Sequence, residues 1–299
     1  MPPTTSSLPT IPHQLILHKF YEMLDEDIGF GDITTSALIS ASQKAHARVF
    51  TRQPGVLAGI DIANIILQDF GCAVTIKQND GDKVSANATL FTAQGAATTL
   101  LTIERTLLNL LQRMSGISTA TNHLVKLARK ANPRIRVAAT RKTAPLLRIF
   151  DKLAVIIGGG DPHRWRLDDA ILIKDNHLAF FFSPNKAVEQ ARQNTGFTSP
   201  IEIEVTNHSE ALAVAKSNPN IILLDNMAPQ EIKRTVKDLR QSHPQILLEV
   251  SGNITADNIQ EYAQTGVDVI SVGWITHSVP ALNLSMDILP GKKPSKRKG

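Results

Sequence analysis

Apolar residues keep a mostly helical period through the first part of this 299-residue chain and fall into short strand-like runs separated by helices in the second. Residues 1–12 are rich in Pro, Ser and Thr, show no apolar rhythm, and are expected to be mobile. Leu15, Leu17, Phe20 and Leu24 then predict a first helix. Residues 46–50 and 74–77 read as short strands and residues 61–70 as a helix, with Asn79, Asp80, Gly81 and Asp82 as a tight turn between strands. Between residues 98 and 130, Leu101, Leu107, Leu108, Leu111 and Met114 recur at helical spacing, and the pattern resumes at Leu124 and Leu127. Gly116, between the two stretches, predicts a break into two helices.

Beyond Pro133 a repeated cadence begins, in which a short β-branched run ends in polar residues and a helical stretch follows. The runs cover residues 135–139, 170–173, 201–205, 221–224, 246–250 and 267–272. Helix starts are expected at Ser183 with Pro184, at Asn207 with His208 and Ser209, at Ala228 with Pro229, and at Thr255 with Ala256 and Asp257; Gly266 marks a stop. Such alternation implies parallel strands with right-handed crossovers, in either a barrel or an open doubly wound sheet. Every run delivers polar residues or glycine at its end: Thr140, Arg141 and Lys142, then Lys174 with Asp175, Asn176 and His177, then Glu204, then Asp225 and Asn226, then Ser251, Gly252 and Asn253, and last Gly273. An open sheet concentrates such residues at one switch point, whereas a barrel with its site on that face needs them at each strand, so the distribution favours a barrel.

Composition narrows the setting. With 42% hydrophobic residues the chain can bury a full core. Its net charge of +5 comes from the end, where Lys292, Lys293, Lys296, Arg297 and Lys298 stand without an acid, and the remainder is balanced. Residues 291–299 are therefore expected to be a disordered basic tail, and two Tyr and two Trp offer few faces for stacking bases, so no nucleic-acid partner is expected. The single cysteine, Cys72, cannot form an internal disulfide and suits a reducing compartment. No apolar run approaches the ~18 residues of a membrane span and the N-terminus lacks a secretion pattern, so a cytoplasmic location is expected.

Arg141, Lys142, His163, Arg164 and Lys174 come from two successive strand ends and the loop between them, which a barrel brings together. Asp151, Asp161, Asp168 and Asp169 are too few nearby acids to neutralise the whole set. Arginine grips a carboxylate or phosphate with two parallel N–H groups while lysine acts as a point charge, so the mixture suits a small substrate with several anionic groups. Gly158, Gly159 and Gly160 suit either a phosphate cradle or a flexible turn. Ser251, Gly252, Asn253 and Gly273, each ahead of a helix start, are placed to leave backbone N–H groups for a phosphate. Glu204 and Asp225 suit ribose hydroxyls, Mg2+, a developing positive charge, or internal salt bridges. His177 and His277 lack the spacing of a metal site, and Arg105, among apolar neighbours on the long helix, reads as a solvated helix-face residue.

Taken together, the chain resembles the quinolinate phosphoribosyltransferase family, also called nicotinate-nucleotide pyrophosphorylase (carboxylating), along nearly its whole length. The matching residues include Glu26, Asp27, Ile28 and Gly29; Gly31 to Thr35; Glu104, Arg105 and Thr106; Ser115 and Gly116; Thr140, Arg141, Lys142 and Thr143; His163 and Arg164; Leu172 to His177; Glu202 to Val205; Leu224, Asp225 and Asn226; Glu249 to Ile254; and Thr276, His277 and Ser278. The resemblance implies an α/β fold: an N-terminal α/β sandwich domain over residues 13–118, joined by 279–290, and an incomplete, open α/β barrel of parallel strands over 119–278. It implies a homodimer or larger assembly in which Arg105 serves the neighbouring subunit's site. By resemblance, Arg105, Arg141, His163, Arg164 and Lys174 bind quinolinate, while Lys142, Glu204, Asp225, Ser251, Gly252, Asn253, Gly273 and His277 bind phosphoribosyl pyrophosphate. Lys142, Glu204 and Asp225 are the implied catalytic residues, and Mg2+ is implied as a cofactor carried mainly by the pyrophosphate, near Glu204 and Asp225. The chain departs from the family at Leu146 and Arg166, where glycines are usual, and at Trp274, where a small residue is common. A related molybdenum-transport-associated branch, a Schiff-base aldolase using Lys142 or Lys174, and a binding protein led by the basic tail are the competing readings.

Overall fold

A computed structural model describes residues 9–290; the expected mobile start, up to residue 8, and the basic tail 291–299 lie outside the described residues. In chain order the first elements are α1 (His13–Ile28), α2 (Ile33–Leu38), β1 (Lys44–Thr51), β2 (Gly55–Val56), α3 (Ile60–Asp69), β3 (Ala73–Ile76), β4 (Lys83–Val84), β5 (Thr89–Ala96) and α4 (Ala97–Ala131). The repeated part follows as β6 (Arg136–Ala138), α5 (Arg148–Ile157), β7 (Ile171–Ile173), α6 (Asp175–Leu178), α7 (Pro184–Gln193), β8 (Ile201–Val205), α8 (His208–Ala215), β9 (Ile221–Asp225) and α9 (Pro229–Ser242). The chain ends with β10 (Leu247–Ser251), α10 (Ile259–Ala263), β11 (Val269–Ser271), α11 (Trp274–His277) and β12 (Leu284–Pro290). Two compact units result, one of residues up to 119 with those from 280 onward, the other of residues 120–279.

The first unit is built on an antiparallel sheet in the order β12, β1, β5, β3. On β1, Ala45, Ala47 and Val49 alternate into the core while Lys44, His46 and Arg48 face outward, the pattern of a sheet covered on one side. In α1 the buried positions are Ile16, Phe20 and Leu24, and Phe20 meets Phe70 edge-on at 6.1 Å. Gly116 does not break α4, which runs unbroken for 35 residues. A Cβ at Gly116 would stand 2.4 Å from the Pro280 carbonyl oxygen, so glycine is needed there because another backbone passes close by, and no turn is involved.

The second unit holds six parallel strands in the order β6, β11, β10, β9, β8, β7. Consecutive strands are neighbours throughout, except that β6 pairs with β11 and not with β7. A doubly wound sheet reverses its order at a switch point; this one goes round a ring and leaves it open between β6 and β7, which makes it an incomplete barrel. Ile203, Ile222, Leu224, Leu248, Val250 and Ile270 alternate with the cavity-side positions along their strands and are all buried on the other face of the sheet, while Leu223, Glu249 and Ser271 face the ring interior. Ser183 accepts a hydrogen bond from the Lys186 N–H and Asn207 one from the Glu210 N–H, each as an N-cap, while Pro184 and Pro229 open their helices. Thr255 does not start a helix: residues 256–258 form a turn, the Asn258 side chain accepts from the Thr255 N–H, and α10 begins at Ile259.

Asp80, in the turn before β4, caps α3 by accepting from the Ile60 N–H at 2.8 Å and the Asp61 N–H at 3.4 Å. Burial pushes its pKa up to about 6, against the pull of these N–H groups and with the help of the Asp61 charge. The folded state therefore favours the protonated acid, so this contribution to stability is complete below an ordinary carboxyl value of 3.8 and is lost as pH rises through about 6. Denaturant titrations from pH 4 to 7 are expected to show wild type losing up to about 2 kcal/mol relative to Asp80→Asn, whose amide oxygen still caps the helix. Parallel pH profiles for the two proteins would refute this account.

Candidate active site

The parallel ladder brings the C-terminal strand ends to one face, and a cavity of about 830 Å³ opens there. Arg141 and Lys142 follow β6, Lys174 follows β7, Glu204 lies on β8, Asp225 ends β9, Ser251 ends β10 with Gly252 and Asn253 beyond it, and Gly273 and His277 follow β11; all of them line the cavity together with His163 and Arg164. Arg105 is exposed on α4 in the other unit and is not among the lining residues. His177 also stands apart: its Nδ1 accepts from the Lys174 N–H at 2.9 Å and so caps the short α6.

Several contacts hold the lining side chains. The Thr140 hydroxyl accepts from the Lys142 N–H at 3.1 Å, and the Thr276 hydroxyl donates to the Lys142 carbonyl at 2.8 Å. Lys174 Nζ reaches Glu204 at 2.5 Å across the gap between neighbouring strand ends. Two guanidinium atoms, Arg141 Nε and Arg164 Nε, are buried with no hydrogen-bond partner in the protein, although another Arg164 nitrogen donates to the Ala170 carbonyl at 3.0 Å. Buried N–H groups are almost always paired, so this wall suits acceptor oxygens brought in by a ligand. Burial lowers the pKa of Arg164, a further sign that its charge stands in a dry corner.

On the opposite wall, Gly252 has φ 103°, and a Cβ there would fall 2.2 Å from Asn226 Oδ1. Asn226 and Asn253 also have left-handed backbones and are joined by a 3.1 Å side-chain hydrogen bond. Trp274 spans from α11 to the Ile254 carbonyl at 3.0 Å, tying together the two late loops expected to take phosphate. The triple glycine is no cradle: Gly158 ends α5, Gly159 has φ 88°, and Gly160 is pressed so close to Thr121 that a Cβ would lie 2.6 Å from its methyl group.

Sequence reasoning gave no role to Glu202, Glu249 or Lys152, all buried; Glu249 lines the cavity, and the other two meet the turn of Pro162 and His163. The two glutamates interrupt apolar strands and Lys152 the apolar face of α5, and these interruptions are the signal that could have found them. His163 Nε2 lies 3.5 Å from Glu202 and 3.4 Å from Glu249. Burial disfavours charge on His163, but the hydrogen bonds between the ring and the two glutamates outweigh it, so the three groups together keep one extra proton up to a pH of about 10. Glu202 is pushed up as well, chiefly by burial and with Glu249 beside it. The Arg164 N–H donates to His163 Nδ1 at 2.7 Å, which requires a lone pair there, so the extra proton of this cluster belongs on the carboxylate side. Burial, followed by the neighbouring Arg148 charge, brings the Lys152 pKa down to about 8, and its ammonium donates to the Pro162 carbonyl.

A barrel with a cationic, polyanion-sized cavity at its strand ends defines an enzyme acting on a small, multiply charged substrate. The particular family follows from likeness to known proteins. The family models described as quinolinate phosphoribosyl transferase, N-terminal domain and C-terminal domain, match residues 32–115 and 117–287, and the chain belongs to this family. The chain is 44% identical over 269 residues to a probable nicotinate-nucleotide pyrophosphorylase (carboxylating) of Methanothermobacter thermautotrophicus, covering 89% of this chain and 96% of that one. With the human nicotinate-nucleotide pyrophosphorylase (carboxylating) it shares 36% identity over 253 residues, 85% of each chain. The crystal structure of NadC from Streptococcus pyogenes superposes with a TM-score of 0.88 at 33% identity, over 95% of this chain and 99% of that one.

Of the departures from the family pattern, Leu146 is 76% exposed and held at φ 65°, which explains why glycine is usual there, while Arg166 is exposed and outside the cavity lining. Leu146→Gly is expected to raise stability by about 1 kcal/mol, read as a higher thermal midpoint. A lower midpoint would show that the leucine side chain earns more in contacts than its backbone costs.

Proposed function

We infer that this chain is a quinolinate phosphoribosyltransferase that joins quinolinate to phosphoribosyl pyrophosphate and releases nicotinate mononucleotide, pyrophosphate and CO2, a step of NAD biosynthesis. The observation that carries this reading is the cavity itself, which sets Arg141, Arg164, Lys142 and Lys174 against Glu204 and Asp225 in a chain that matches both domains of the family. Arg141 and Arg164, with unpaired N–H groups, are suited to the two carboxylates of the pyridine; Lys174 adds a point charge there. Lys142, Ser251, Gly252, Asn253, Gly273 and His277 take the phosphates and ribose of the donor. The pyridine nitrogen attacks the anomeric carbon as pyrophosphate leaves, and Glu204 and Asp225 stabilise the positive charge that builds on the ribose. Loss of CO2 from the 2-position then leaves its electron pair next to the new pyridinium nitrogen, which is neutralised by a proton. The cationic wall orients the dicarboxylate and excludes water through this step.

Mg2+ suits the donor set. Glu204 and Asp225 offer hard carboxylate oxygens at the cavity wall, and among the described residues they are not part of any group of three side chains arranged as a metal cage, which fits an ion that arrives with the pyrophosphate. When bound, the ion would share the charge of the leaving pyrophosphate. The same proposal includes a cytoplasmic homodimer or larger homo-oligomer, with exposed Arg105 completing the neighbouring subunit's quinolinate site. Among the described residues no helix is long and apolar enough to cross a membrane. A Schiff-base mechanism is disfavoured, because Lys174 is paired with Glu204, and Lys152, the buried lysine with a lowered pKa, donates to a backbone carbonyl and does not line the cavity.

Purified protein given quinolinate, phosphoribosyl pyrophosphate and Mg2+ is expected to form nicotinate mononucleotide and CO2 in equal amounts. Acceptance of nicotinate in place of quinolinate would sink the assignment. Arg105→Ala and Lys142→Ala are each expected to lose at least a hundredfold in kcat/KM, and mixtures of the two inactive proteins to recover up to about a quarter of wild-type activity as subunits exchange. No recovery, under conditions where exchange is demonstrated by labelled subunits, would show that the site is not shared.

A further inference from the structure

His163 lines the cavity, yet both nitrogens of its ring are already engaged inside the protein. Its Nδ1 accepts from the Arg164 N–H at 2.7 Å, which leaves the ring proton on Nε2, and Nε2 faces Glu202 and Glu249 at 3.5 and 3.4 Å. Both acids are buried, and Glu249 is further fixed by the Ser271 hydroxyl. The backbone of the same turn is held equally firmly. His163 has φ 54°, its N–H donates to Asp161 at 2.8 Å, and the Pro162 carbonyl before it takes the Lys152 ammonium. What this corner presents to the cavity with unused donor capacity is the guanidinium of Arg164.

We propose that Glu202 and Glu249 are positioning residues that lock the His163 ring, and that His163 in turn aims Arg164 at a substrate carboxylate without binding the substrate itself. The proposal rests on the quinolinate reading of the cavity, and it moves His163 from the residues that touch substrate to those that hold them. Two buried carboxylates are costly beside a site for a dianion, because their charge opposes the ligand. Serving as a rigid double acceptor for one imidazole N–H gives them a function that apolar residues cannot supply. The alternative use of the same three side chains, whose ligand atoms lie within 4.8 Å of one another, is a metal ion. That use requires a lone pair at Nε2, and with Nδ1 already an acceptor a neutral ring has none left.

Two measurements on the full chain test this. Steady-state kinetics should show Glu202→Gln and Glu249→Gln each raising KM for quinolinate tenfold or more while KM for phosphoribosyl pyrophosphate stays within about twofold, because only Arg164 is misdirected. Adding Glu202→Gln to His163→Asn should then cost less than a further twofold, since the acid works through the ring. Multiplying effects, or an unchanged quinolinate KM, would overturn the proposal. Nitrogen-15 spectra of the histidine rings, with His163 assigned by its loss in His163→Asn, are independent of any substrate. They should show Nε2 protonated and Nδ1 unprotonated at neutral pH. Protonation at both nitrogens would overturn the proposal even if the enzyme is fully active, and the expected tautomer in a protein inactive toward quinolinate would instead reject the functional reading and leave the buried lock standing.

Discussion

Every part of the cavity depends on the register of the parallel ladder. Ser251 pairs with Asp225 on one side and Ser271 on the other, and Glu204 stands beside Leu223 on the next strand, so the last residues of adjacent strands arrive at the same height. Side chains alternate along a strand, so a slip of one residue would turn Glu204 away from the cavity and bring Ile203 or Val205 in its place. Val250, Leu224 and Ile270, buried on the face away from the cavity, would be turned toward it, which makes such a slip expensive. The chemistry is thus borne by polar strand ends whose register is fixed by the apolar residues that alternate with them.

A second constraint is charge. Cations gathered to receive a polyanion repel one another, and the fold answers by placing acids among and beneath them: Glu204 against Lys174, and Glu202 and Glu249 beneath the turn that carries Arg164. The two arrangements differ in consequence. Lys174 is half-exposed and its pairing with Glu204 is weakly held, so an incoming carboxylate can compete for it. Glu202 and Glu249 are almost wholly buried, Glu249 at the cavity floor, so their contacts with His163 are screened far less and they act as part of the scaffold.

Left-handed backbone occurs in the cavity wall and in the loop after β6. Leu146, His163, Asn226 and Asn253 all have positive φ, and Gly252 lies so near Asn226 that no side chain fits. Asn tolerates this conformation through local hydrogen bonds, whereas His163 and Leu146 hold it only because neighbouring contacts outweigh the cost. The loops that follow the strands are therefore rigid in shape although they lie at the surface, which suits a site that must hold two reactants at a fixed separation.

The alternation of β-branched runs with helical stretches, and the polar residues closing each run, were local signals, and they were enough to predict parallel strands around a barrel and to name most of the residues that line its cavity. These features are legible because apolar period and strand-end polarity are properties of neighbouring residues. Gly116 was misread as a helix break because its reason lies 164 positions away, at Pro280, and the triple glycine was left undecided because Thr121, which presses on Gly160, belongs to a different helix. Glu202, Glu249 and Lys152 were given no role because their partners, His163 and the Pro162 carbonyl, reach them only when the strands are assembled. Local sequence determines which segments form strands and helices and what chemistry stands at their ends; partners distant along the chain exist only once the strands are in register, and the tertiary structure alone decides which buried charge meets which.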